Sequence, residues 1–190
     1  MSRHFSMRGR SYRKAHGVFA SVLTRDEAEA LLNRYDLLVP RKRKYYIETL
    51  YSHYAHTFDA RHLDVTREII AEKYPAYLDD VDAVYRQRYG YMFNMFLLRK
   101  ADLDAYCCWL FDVLQELERR IPTDGMSAFE ARFYGRVSEI LFNVWLRKRV
   151  AEGVSVGEVP VISMEPVNWW KKGTAFLAAK FGGKKYKESF

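Results

Sequence analysis

Apolar residues recur at helical spacing along much of the chain, and the punctuation between them predicts the elements. Thr24-Arg25-Asp26-Glu27 has the form of a capping box, in which a Thr hydroxyl and a Glu carboxylate satisfy the free amides of a first helical turn. A helix is expected from there to about Tyr35. Leu37-Leu38-Val39, stopped by Pro40, predicts a short buried strand. Leu63, Ile69, Ile70 and Tyr74 lie at helical spacing with Asp64 as the expected cap, and Pro75 closes that helix and opens another to about Gln87. The run Tyr91-Met92-Phe93-Asn94-Met95-Phe96-Leu97-Leu98 has no helical gaps and follows Gly90, which predicts a strand buried on both faces. Asp102 is expected to cap a long helix ended by Pro122, and another helix should run from about Ser127 to Arg149. Beyond Val150, Gly153, Gly157 and Pro160 interrupt short Val/Ile runs, which predicts one edge strand and loops. The expected class is α/β, helix-rich with few strands.

Composition adds a single core and an anionic partner to this picture. The 190 residues are 49 % hydrophobic and 16 % aromatic, enough to fold as one compact unit. The net charge of +7 collects at the two ends, at Arg41 to Lys44 and at Arg147 to Arg149, so nucleic acid, an anionic membrane face and phosphorylated small molecules are the partner classes. No zinc finger, RNP-type sequence, helix-turn-helix, G-x-G-x-x-G or P-loop pattern is present, and the reading is of no nucleic acid partner. Neither a membrane-spanning stretch nor the apolar segment of a signal peptide occurs. Cys107 and Cys108 are adjacent in a helical pattern, which suits neither a disulfide nor a metal pair and fits a reducing cytoplasm. The stretch from Asn168 to Phe190 mixes Trp169, Trp170, Phe176 and Phe181 with lysines, the pattern either of an interfacial helix on an anionic membrane or of a helix docked on the domain.

Two clusters carry candidate chemistry. Tyr45 to Phe58 reads YYIETLYSHYAHTF, directly after the basic run. His53 and His56 stand at i,i+3 and could share a helix face with Glu48. That set is compatible with metal ligation, with hydrogen bonding by the histidines, Tyr51 and Tyr54 to a polyhydroxylated or phosphorylated ligand charged by Arg43 and its neighbours, or with a buried polar network. No H-E-x-x-H spacing is present, so this set alone assigns no metal ligand, and a divalent metal is left open as a cofactor. In the second cluster, Arg132, Gly135 or Arg136, and Glu139 line one face of a helix. Apolar surroundings would raise the Glu139 pKa and Arg132 or Arg136 would lower it, a setting for either a general base or a structural ion pair. Asn94 is either a satisfied core amide or a ligand contact at a strand end.

YYIETLYSHYAHTFDARHLDVTREIIAEKYPAY, MFNMFLLRKADLDAYCCWLFDVLQELERRI, YGRVSEILFNVWL and FGGKKYKESF, in that order, resemble the bacterial family called domain of unknown function 4422. Its members accompany capsule and exopolysaccharide biosynthesis enzymes and are regarded as glycosyltransferases. The resemblance implies the C-terminal portion of a GT-A-like fold in residues 1–167, with the basic aromatic tail in 168–190. It implies a nucleotide-sugar donor, a glycan or lipid-linked glycan acceptor, and hexose transfer with galactofuranose known among relatives, while the basic aromatic tail points to the cytoplasmic face of the inner membrane. Glu139 and Glu48 become the candidate bases, and His53, His56, Tyr51, Asn94, Arg132 and Arg43 the candidate substrate contacts. Ile140 stands where relatives usually carry arginine. The family pattern also has an N-terminal part, with the first strands of the nucleotide-binding sheet, that Met1 to Phe5 joins partway, so an exposed sheet edge is expected. The rival expectation is a non-catalytic module that binds glycan or membrane.

Overall fold

The computed structural model describes residues 2–164, so the tail expected as a helix lies outside the described residues. In chain order come β1 (Arg3–Phe5), α1 (Arg10–His16), α2 (Arg25–Leu32), β2 (Leu37–Pro40), β3 (Arg43–Lys44), α3 (Leu50–Ala55), α4 (Arg61–Lys73) and α5 (Leu78–Arg86). They are followed by β4 (Tyr89–Gly90), β5 (Leu97–Leu98), α6 (Lys100–Arg120), α7 (Phe133–Ala151), β6 (Val156–Val159) and β7 (Val161–Ser163). The helix-rich α/β class is as expected.

Helix α7 is the axis of the core. It is buried without a gap from Val137 to Leu146, and α4, α5 and α6 pack around it. A helix buried all round needs neighbours on every side, and the amphipathic helices α4, α5 and α6 supply their apolar faces. Rings fill the space between: Phe96, Tyr106 and Trp145 all lie against Phe142, Phe96 stacking on it at 4.9 Å between centroids. Beside the helices, β2 is the centre of a three-stranded sheet, with β6 parallel on one side and β5 antiparallel on the other. All of β2 is buried, which is why so short an apolar run pairs stably. Gly157 of β6 admits no side chain, because a Cβ there would come within 2.6 Å of Leu38 and 2.7 Å of the Tyr35 ring. Two further pairs, β1 with β7 and β3 with β4, are both antiparallel.

The Thr24 capping box is formed, both of its hydrogen bonds being present, although α2 stops at Leu32. Asp64 and Asp102 sit inside the first turns of α4 and α6, whose caps are Ala60 and Arg99. Acidic residues favour any first-turn position because of the helix dipole, so charge alone did not place the cap. The last helix begins at Phe133, after a 3-10 turn over Glu130–Arg132, later than expected. Two strands rather than one follow α7, because β1 offers β7 a partner far away in sequence.

The strand expected over Tyr91–Leu98 is overturned. Only Leu97 and Leu98 pair as a strand there, and the chain before them turns through Phe93 and Asn94 with φ of 84° and 48°. A side chain takes the place of a neighbouring strand: Tyr91 N–H donates to Asn143 Oδ1 at 2.7 Å and Asn143 Nδ2 donates to the Tyr91 carbonyl at 2.9 Å. The apolar run without gaps is a turn laid against α7, not a ladder.

Candidate active site

Thr49 starts α3 with a capping box, accepting from Ser52 N–H at 3.0 Å while Ser52 Oγ accepts from Thr49 N–H at 2.9 Å. That start leaves Glu48 just ahead of the helix, His53 within it and His56 as its C-cap. The carboxylate of Glu48 then bridges both rings, Oε2 to His53 Nδ1 at 2.8 Å and Oε1 to His56 Nδ1 at 2.9 Å. Burial pushes the Glu48 pKa up, yet the two imidazole hydrogen bonds outweigh it and hold the carboxyl below its ordinary value. For His53 burial wins over the attraction of Glu48, and its pKa is lowered. A neutral ring that donates Nδ1–H to Glu48 keeps Nε2 as an acceptor.

Tyr45 joins this pair to a second carboxylate. Its ring lies 4.3 Å from that of His53, and the Arg43 guanidinium stands 5.1 Å from its centroid. Burial raises the Tyr45 pKa, and the charges of Arg43, Glu139, Arg136 and Glu48 all act on it. Glu139, almost two turns into α7, is only 7 % exposed. Burial raises its pKa, while Arg136, Arg43 and Arg3 pull it back. Arg136 Nη1 stands 3.3 Å from one carboxylate oxygen and 3.4 Å from the other. Arg3 lies with its guanidinium 4.1 Å from the Phe93 ring centroid, and burial and the nearby Arg43 lower its pKa. Strands β1 and β3 and helix α7 thus each bring an arginine to one buried carboxylate. A carboxyl that retains proton affinity under three cations is suited to proton transfer.

Asn94 pins the adjoining turn to α7, its Nδ2 donating to the Gly135 carbonyl at 3.2 Å and to Ser138 Oγ at 3.1 Å. Asn143 carries the same support deeper, since Nδ2 also donates to the Glu139 carbonyl at 2.7 Å. Two expected contacts are elsewhere. Tyr51 turns to α4, donating its hydroxyl to Asp64 at 2.9 Å, and packs on Tyr85. Arg132 is exposed at the end of the 3-10 turn, and Arg136 is the arginine that pairs with Glu139. Among the described residues no group of three His, Cys, Asp or Glu side chains is arranged to hold a metal ion. In the Glu48, His53 and His56 set both carboxylate oxygens are engaged by the two imidazole Nδ1 atoms.

The chain matches, over residues 1–150, the family described as Domain of unknown function (DUF4422). It belongs to that family. No curated protein matches the sequence. Among solved structures it is similar to the apo form of WbbM, a bifunctional glycosyltransferase, with a TM-score of 0.72 and 25 % identity over 84 % of this chain. The match covers 31 % of the WbbM chain, so this DUF4422 chain spans under a third of that length. Its fold is glycosyltransferase-like.

In this DUF4422 chain, Arg3, Tyr45, Ser138 and Asn143 belong to the site or its support and were not among the expected contacts. Tyr45 opens the aromatic stretch and was open to notice. Arg3 had no local signal, since only the pairing of β1 with β7 across the length of the chain fixes its place.

Proposed function

We propose that this chain carries the acceptor-activating and diphosphate-binding part of a glycosyltransferase of surface polysaccharide biosynthesis. It transfers a hexose, galactofuranose among the candidates, from a nucleotide-sugar donor to a glycan or lipid-linked glycan acceptor at the cytoplasmic face of the inner membrane. The observation that carries this reading is Glu139, buried, raised in pKa, and faced by Arg3, Arg43 and Arg136. In the reaction Glu139 takes the proton of the acceptor hydroxyl as that oxygen bonds the anomeric carbon. The bond from that carbon to the donor's diphosphate breaks, and the arginines receive the negative charge that leaves with it. Glu48, held ionised by His53 and His56, positions the imidazole of His53 toward the donor or acceptor hydroxyls. Membership in DUF4422 and the likeness to WbbM support the reaction class.

The test is transfer and donor hydrolysis by the purified chain against a panel of uridine-diphosphate sugars, with and without manganese. Turnover that falls about a hundredfold or more in Glu139→Gln, with donor binding kept, is the expected outcome. A second reading is a module that binds glycan without turnover. Saturable sugar binding with no turnover by any donor would support that reading instead.

A further inference from the structure

The segment between Phe5 and Leu23 leaves the body of the protein and returns to it. Its base is tied: Leu23 N–H donates to the Phe5 carbonyl at 2.8 Å, and Arg8 pairs with Glu27 of α2 at 2.6 Å. Ser21, fully buried, donates to the Gly17 carbonyl at 3.1 Å. Above that base, α1 buries no residue at all. Phe19 is 85 % exposed, and Met7 and Tyr12 are exposed in the same segment. From Met7 to Leu23 the chain has no acidic residue, while Arg10, Arg13 and Lys14 follow one another along α1.

Large apolar side chains projecting from a pinned, purely cationic segment call for a cover that is apolar beneath and anionic at its surface. We propose that this protrusion docks on an anionic lipid bilayer, Phe19 and Met7 entering at headgroup depth and Arg10, Arg13 and Lys14 meeting the headgroups. A second copy of the chain is the poorer occupant, because it would bring like charges together. Nucleic acid would meet the cations but leave Met7 and Phe19 without an apolar partner. The inference stands without the proposed activity. Since β1 leads directly into the protrusion, docking would also set Arg3 and its carboxylate near the bilayer, which suits a lipid-linked acceptor if that activity holds.

The experiment is flotation of the full chain with phosphatidylcholine vesicles and with vesicles that also contain phosphatidylglycerol. The parent should float only with the anionic vesicles. The triple variant Arg10→Glu, Arg13→Glu, Lys14→Glu should lose affinity by roughly tenfold or more, and Phe19→Ser should lose several-fold while Phe19→Trp retains binding. Every variant keeps the lysines of the C-terminal tail, so the difference reports the protrusion alone. Arg10, Lys14 and Phe19 are exposed, Arg13 is half-buried with Nη1 donating to the Arg8 carbonyl at 3.1 Å, and circular dichroism checks that the fold persists. Equal flotation of parent and triple variant would overturn the proposal. So would a parent that retains single-stranded DNA or dimerises through these residues without floating.

Discussion

Glu139 and His53 titrate in opposite senses, which makes their roles separable by pH. The folded pKa of Glu139 is above its ordinary 4.5, so the native state binds its proton more tightly than the unfolded chain does. Its contribution to stability is present at low pH and is lost as the pH rises through the folded value. Glu139→Gln should therefore melt no lower than the parent at pH 8 while losing activity, as checked by paired calorimetric and transfer assays. A stabilising ion pair with Arg136 would show the reverse, a clear drop in Tm. His53 lies below its ordinary 6.5, so it stabilises the fold above 6.5 and loses that contribution as the pH falls toward the folded value. Glu48, held below 4.5, adds a loss at still lower pH, as the pH falls through its folded value. Proton NMR should place the His53 midpoint under 6.5, and in His53→Gln the loss of Tm between pH 7 and 5 should shrink. A midpoint above 6.5 would contradict the burial of a neutral ring.

At the scale of elements, the site depends on how α7 grips the turn beside it. Asn143→Ala removes both hydrogen bonds to Tyr91 and the one to the Glu139 carbonyl, leaving polar groups without partners. A cost of about 2–4 kcal/mol in urea unfolding is expected, with donor affinity weakened as well. Gly157→Ala, which drives a methyl into Tyr35 and Leu38, should cost about 1–3 kcal/mol by the same measurement. The elements legible in advance were those whose signals are local. The Thr24 box, the apolar spacing of α4 to α7 and the stop at Pro122 each depend on neighbours within a few residues. What escaped depends on distant partners: β1 is a strand because β7 lies beside it, and Tyr91 to Phe96 turn because Asn143 and Ser138 are there. Glu48, His53, His56, Arg43, Asn94 and Glu139 were legible as candidates because their residue types are unusual in their surroundings. Their division into one arginine-faced carboxylate and one histidine-bridged carboxylate was not, since strand pairing sets it.

Across the whole molecule, no helix among the described residues is long and apolar enough to cross a membrane. Docking through the protrusion would combine the charge of Arg10, Arg13 and Lys14 with insertion of Phe19 and Met7, and raised salt should weaken the binding of the parent to anionic vesicles. The turn at Phe93 and Asn94 has a bearing on solubility. Tyr91 to Leu98 carries no charge and no proline, and it is rich in aromatic and aliphatic side chains, the profile of a segment that stacks into intermolecular cross-β. Left-handed backbone at Phe93 and Asn94 and the side-chain latch onto Gly135 and Ser138 break that segment in two. Asn94→Val would strain the turn, release the latch and lengthen the sticky run, and light scattering during heating should show earlier aggregation than in the parent. Asn94 thus holds in a turn an uncharged octapeptide whose composition would suit a cross-β stack.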